Sequence, residues 1–158
     1  MSQLYWAGIG SRNTPQEILE LMAKAAVALH KKGYILVSGG AKGADSAFAS
    51  LLPEEAKIIY KAKDATENAI IEASYHHPAW DRCTAYTKML HGRNVMIITK
   101  HPIKFVLCWT QGGHPVGGTG LGIRVANCYN VPVYNLFNRH VVARIKKLIN
   151  EKTDNQAE

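Results

Sequence analysis

The chain alternates between short apolar runs and longer stretches in which apolar positions recur at helical spacing. Leu4 to Ile9 is the first apolar run. It ends in Gly8-Ile9-Gly10-Ser11-Arg12, which predicts a strand followed by a glycine turn. Thr14, Pro15 and Glu17 then mark a helix start: an N-cap hydroxyl, a proline suited to the first helical position and the acid of a capping box. Ile18, Leu21, Met22, Ala25, Ala26 and Leu29 repeat at helical period, and Gly33 closes that helix after Lys31 and Lys32. Tyr34 to Val37 predicts a second strand. It runs into Ser38-Gly39-Gly40-Ala41-Lys42-Gly43-Ala44-Asp45, a second glycine-rich loop. Ala44 to Leu52 predicts a short helix closed by Pro53, and Ala56 to Tyr60 a third strand near a sheet edge.

The second half continues the alternation. Thr66 to Tyr75 predicts a helix broken at His76-His77-Pro78, and Trp80 to His91 resumes it. Val95 to Thr99 carries two conflicting signals. Its β-branched residues favour a strand, yet Phe105 to Trp109 begins another strand only a few residues later. The stretch Val116 to Arg124, Val-Gly-Gly-Thr-Gly-Leu-Gly-Ile-Arg, is four-ninths glycine. Ile123 to Tyr129 follows as a helix and Val131 to Leu136 as a final strand. Asn138 caps a last helix, Val141 to Glu151. Strands alternating with helices predict an α/β fold: a Rossmann-like, doubly wound, mainly parallel sheet with helices on both faces. One domain is expected over residues 1–152, with a polar tail at 153–158.

A length of 158 residues, with 47% apolar and 20% charged residues, fits a single globular domain with a real core. No apolar run is long enough to span a bilayer, and Met1 to Trp6 lacks the basic segment of a signal peptide. A cytoplasmic protein without a membrane partner is expected. Cys83, Cys108 and Cys128 are odd in number and widely spaced, which predicts reduced structural thiols. His76, His77 and His91 show no recognised metal-ligand spacing, so no metal is expected. The net charge of +7 favours phosphate-bearing partners, either nucleotides or nucleic acid. The cations are scattered, apart from Lys57, Lys61, Lys63 and Arg144, Lys146, Lys147, and no stripe interleaves them with aromatics.

Three glycine loops each follow a strand, and in such sheets ligands bind beyond the carboxyl ends of the strands. Glycines let backbone N–H groups approach an anion, and a helix N-terminus adds partial positive charge. Gly10, Ser11 and Arg12 are the candidates in the first loop. Ser38, Gly39, Gly40, Lys42 and Asp45 are those in the second, and Gly117, Gly118, Thr119 and Gly120 those in the third. Each has a plainer reading as well. The glycines suit tight turns, Ser11 and Arg12 suit turn chemistry, and Lys42 suits a solvated surface. Thr119 reads as an N-cap or a phosphate donor. Asp45 reads as a helix cap, a partner for a ribose hydroxyl or a catalytic carboxylate. Trp109 reads as core or pocket wall, and Trp80 as core or a platform for a base.

Together, Gly8-Ile9-Gly10-Ser11-Arg12, Ser38 to Asp45, Arg93-Asn94 and Gly117-Gly118-Thr119-Gly120 resemble the Rossmann-like superfamily often called SLOG. It unites the DprA/Smf DNA-processing proteins with the LOG-type cytokinin-activating phosphoribohydrolases. The resemblance covers about Leu4 to Leu136. The second motif is most similar to DprA. Cys108-Trp109-Thr110 combined with the third motif is similar to small stand-alone members of phages and bacteria. The resemblance implies that Arg93 and Asn94 sit on a helix facing the ligand, so that Val95 to Ile98 continues that helix. It also implies that Thr110 contacts the ligand and that the chain forms a homo-oligomer.

One departure bears on chemistry. LOG-type enzymes carry Pro-Gly-Gly-x-Gly-Thr-x-x-Glu, and the glutamate serves cleavage of the N-glycosidic bond. Here Val116 takes the proline position, Leu121 the threonine position and Arg124 the glutamate position. A guanidinium stays protonated and opposes an oxocarbenium ion, but it holds phosphate through a bidentate fork. The expected function is therefore binding, not cleavage, of a phosphorylated nucleotide or nucleotide-derived ligand, such as an ADP-ribose-like or cyclic nucleotide signal. In a phage setting the protein would sequester that signal, and no cofactor is required. The alternative is a nucleotide N-glycosidase or phosphoribohydrolase using Asp45, Glu72 or Asp81. A further alternative is DprA-like binding of single-stranded DNA.

Overall fold

A computed structural model describes residues 3–151, so the polar tail lies outside the described residues. In chain order the elements are β1 (Leu4–Gly8), α1 (Gln16–Lys31), β2 (Tyr34–Gly39), α2 (Ala44–Ala49), β3 (Lys57–Tyr60), α3 (Glu67–His76), α4 (Ala85–Thr99), β4 (Ile103–Cys108), α5 (Gly117–Cys128), β5 (Val133–Asn135) and α6 (Arg139–Asn150). The strands form one parallel sheet in the order β3-β2-β1-β4-β5, with β3 at an edge as the sequence predicts. This is a Rossmann-like, doubly wound α/β fold.

The strands read as near-continuous apolar runs because both faces of the sheet are covered. Successive side chains point to opposite faces. Trp6, Leu36 and Leu107 therefore enter one core with Met22 of α1, Phe48 of α2 and Val141 of α6. Ala7, Val37, Val106 and Cys108 enter the other with Ala73 of α3, Ile97 of α4 and Leu121 of α5. Trp6 is 1% exposed and meets Phe48 edge-on, with ring centroids 5.3 Å apart. Among the described residues no helix is long and apolar enough to cross a membrane.

Val95 to Ile98 is helical, as the resemblance implies and against its β-branched composition. All four of these residues are buried. A helix enclosed on every side needs no polar stripe, and here enclosure outweighs intrinsic strand preference, which amounts to no more than about 1 kcal/mol.

Among the boundaries that differ from expectation, three adjoin the candidate glycine segments. Thr14 does not cap α1: its hydroxyl donates to the Ser11 carbonyl at 2.6 Å, and Pro15 occupies the cap position. β2 runs two residues further, through Gly39, because Ser38 pairs with Gly8 of β1 and Gly39 with Tyr60 of β3. α5 begins at Gly117, so the third glycine motif is the first turn of a helix and not a loop before one.

Candidate functional site

β1 and β4 are neighbours, but α1 leaves β1 over one face and α5 leaves β4 over the other. The chain therefore parts at their carboxyl ends, which is the position where open α/β sheets hold ligands. A cavity of about 640 Å³ lies there. Ile9 to Asn13 follow β1 and form its floor, held to β4 by the Ile9 amide on the Leu107 carbonyl and the Ser11 amide on the Trp109 carbonyl. Ala41 and Asp45 come from the second loop and α2, Thr110 and Gln111 from the end of β4, and Val116 to Thr119 from the start of α5. Thr87, Leu90, His91, Arg93 and Asn94 of α4 close the remaining side with His77.

Arg93 is the buried cation of the cavity, only 6% exposed. Its Nη1 donates to the Tyr60 carbonyl at 3.0 Å and its Nε to Asn94 Oδ1 at 2.8 Å. Asn94 in turn donates from Nδ2 to the Gly118 carbonyl at 3.2 Å. The guanidinium is thus braced against the end of β3 and the first turn of α5. Among the described residues its Nη2 meets no acceptor. Burial lowers its pKa, and Asp45 opposes that shift.

Asp45 is 5% exposed. Burial pushes its carboxyl up to about 6, while the Arg93 charge and a hydrogen bond with the Ala41 backbone pull it down. Gly39 makes room for both groups: a Cβ there would lie 2.7 Å from Asp45 Oδ2 and collide with Arg93 Nη1. At the far wall, Gly117 adopts φ +66°, which turns the chain from Val116 into α5. The amides of Gly117, Gly118 and Thr119 fall in the first turn and have no acceptor within the helix. Thr110 is fixed by Asn135, whose Nδ2 donates to the threonine Oγ1 at 2.7 Å and whose Oδ1 accepts from the Thr110 amide at 3.3 Å.

Of the residues singled out from sequence, the fold gathers Gly10, Ser11, Arg12, Asp45, Arg93, Asn94, Thr110, Gly117, Gly118 and Thr119 around the cavity. The others lie elsewhere. Ser38 sits inside the sheet, where its hydroxyl donates to the Gly8 carbonyl, and Gly39 lies behind the Arg93–Asp45 pair. Gly40 and Lys42 are exposed outside the cavity, although Ala41 between them lines it. Gly120 is buried against the Pro115 backbone. Arg124 donates from Nη2 to the Pro115 carbonyl at 2.9 Å. It stands two turns into α5 and not at its start, because the helix begins at Gly117, six residues before the predicted Ile123.

Neither Glu72 nor Asp81 lines the cavity. Glu72 accepts from the Tyr129 hydroxyl at 2.9 Å and lies 3.7 Å from His76 Nε2, between α3 and α5. Asp81 is exposed on the turn at Trp80–Arg82. Trp109 is buried in the core.

Sequence reasoning missed the rest of the α4 wall. Thr87, Leu90 and His91 join the predicted Asn94 at the i, i+3, i+4, i+7 spacing of one helix face, a signal obscured by the β-branched run that follows. It also missed that His77, Cys83 and His91 converge, with their ligand atoms all within 4.8 Å of one another. They are separated by six and eight residues across a break and a new helix, which no standard metal motif matches.

Comparison with protein-family models, with curated proteins and with solved structures returned no match to the chain.

Proposed function

We propose that the cavity binds a phosphorylated nucleotide or nucleotide-derived ligand, with the phosphate between Arg93 and the first turn of α5. The observation that carries this reading is Arg93 itself: a buried guanidinium on the cavity wall with one nitrogen that meets no acceptor among the described residues. A buried cation demands an anion, and among the described residues lining the cavity Asp45 is the only acid. The Arg93 guanidinium and the α5 amides are the groups that would donate to a phosphate there. The volume suits a ligand of nucleotide size. The sequence resemblance points the same way.

Cleavage of the ligand is the second reading, and one observation favours it. Asp45 sits on the cavity wall with its pKa raised to about 6, where a carboxyl can act as acid or base near neutral pH. One experiment separates the two. The full chain is titrated calorimetrically with nucleoside monophosphates, ADP-ribose and cyclic nucleotides, and each mixture is then chromatographed for free base. Micromolar binding without base release is expected. Absence of heat for every phosphorylated compound would sink the binding site. Base released by the wild type but not by Asp45→Asn would establish the enzyme.

A further inference from the structure

We propose that His77, Cys83 and His91 form a three-ligand site for zinc, or a cation of similar softness, whose fourth position opens into the cavity. The proposal stands apart from the nucleotide reading, since it rests on a different cluster.

Four observations support it. The three side chains offer two imidazole nitrogens and a sulfur, the donor set that zinc prefers. Their ligand atoms lie within 4.8 Å of one another. His77 Nε2 is 3.6 Å from Cys83 Sγ. Zn–S near ~2.3 Å and Zn–N near ~2.0 Å at a tetrahedral angle give an N–S edge of about 3.6 Å, so this pair already has the separation that a shared zinc requires. Finally, His91 is 5% exposed, yet its Nδ1 is buried with no hydrogen-bond partner among the described residues. An orphaned buried nitrogen is destabilising, and a metal would relieve it.

The surroundings fit an open site. His77 and His91 both line the cavity, and Cys83 is half-buried behind them. The two rings lie 4.7 Å apart between centroids, at 59° to each other. Trp80 covers the cluster, with its ring centroid 6.0 Å from each imidazole, and Lys88 lies over the outer tryptophan face. Three protein ligands with a free fourth position is the arrangement of zinc sites that accept an exogenous ligand. A dication with one thiolate keeps a net positive charge, so the fourth ligand is expected to be an anion or a polarised water.

Binding is proton-linked. The Ala79 amide donates to His77 Nδ1 at 2.9 Å, so Nε2 carries the ring proton. When Nε2 ligates the cation, that proton moves to Nδ1 and the Ala79 bond opens. The Cys83 thiol loses its proton to solvent. One proton leaves per cation bound, so affinity rises with pH.

Cobalt(II) is the probe, added to the metal-stripped full chain under reducing, oxygen-free conditions. The expected result is one equivalent bound, with a sulfur-to-cobalt charge-transfer band, visible bands of tetrahedral intensity and displacement by zinc. Cys83→Ser should abolish the charge-transfer band, Cys128→Ser should retain it, and His91→Gln should weaken binding by about tenfold or more. Circular dichroism checks that each variant is folded. A folded wild type without the band would overturn the proposal and leave a simple Cys83–His77 hydrogen bond. So would a band that survives Cys83→Ser or disappears with Cys128→Ser.

Discussion

Arg93 and Arg124 carry the same guanidinium in opposite situations. Arg93 is buried, braced by the Tyr60 carbonyl and Asn94, and faces the cavity with Nη2 unbonded. Arg124 is half-buried, and its Nη2 already holds the Pro115 carbonyl. The resemblance marks Arg93, and the position in the third motif Arg124, as phosphate ligands; burial and bonding partners separate them. Substitution should expose the difference. Arg93→Gln removes a charge-assisted hydrogen bond worth about 1.5–3 kcal/mol, so nucleotide affinity in calorimetry should fall by about ten- to a hundredfold. Arg124→Ala releases a loop carbonyl and should lower affinity severalfold less than Arg93→Gln. Equal losses would mean that Arg124 also reaches the ligand.

At the level of elements, α5 shows how a glycine motif can be recognised and still misplaced. Glycine spacing marks a close backbone approach, but it does not say whether the glycines precede a helix or form its first turn. Gly117 and Gly118 have distinct roles there. Gly117 holds φ +66°, and a Cβ on it would meet nothing within 4 Å, so its need for glycine is conformational. Gly118 is helical, and a Cβ on it would make ordinary contact with Asn94 Nδ2 at 3.5 Å. Gly117→Ala should therefore cost about 1–2 kcal/mol and lower the thermal midpoint by several degrees, about 2–4 °C per kcal/mol for a chain of this size. Gly118→Ala should be neutral or slightly stabilising, through reduced freedom of the unfolded chain. Scanning calorimetry of the two variants checks the contrast, and equal destabilisation would contradict the assigned backbone roles. α4 teaches the complementary lesson. Its helical state was legible only from the resemblance, because Val95 to Ile98 is buried on all sides and so has no amphipathic period to read.

At the level of the whole molecule, the alternation of strands and helices was sufficient to reveal the doubly wound sheet, and the glycine-rich segments after its strands were sufficient to point to the edge where the cavity lies. What the pattern could not reveal is which groups the tertiary fold buries together. Asp45 reads in sequence as a cap or a ligand residue, and only the packing of α2, β2 and α4 encloses it beside Arg93. That enclosure has a global consequence. The carboxyl has an ordinary pKa of 3.8 and rises to about 6 in the folded chain. The native state therefore holds this proton more tightly than the unfolded state, and stability falls as pH rises from about 4 to about 6. By linkage, the cost grows by about 2 kcal/mol between pH 4.5 and pH 7.5. Asp45→Asn removes the ionisation while preserving shape. Its stability relative to wild type should therefore improve by about that amount across the same interval in metal-free buffer, as read from urea midpoints at constant m-value. A gap between variant and wild type that does not change with pH would mean that Asp45 titrates as a solvated carboxylate. Its burial against Arg93 would then not govern the charge of the site.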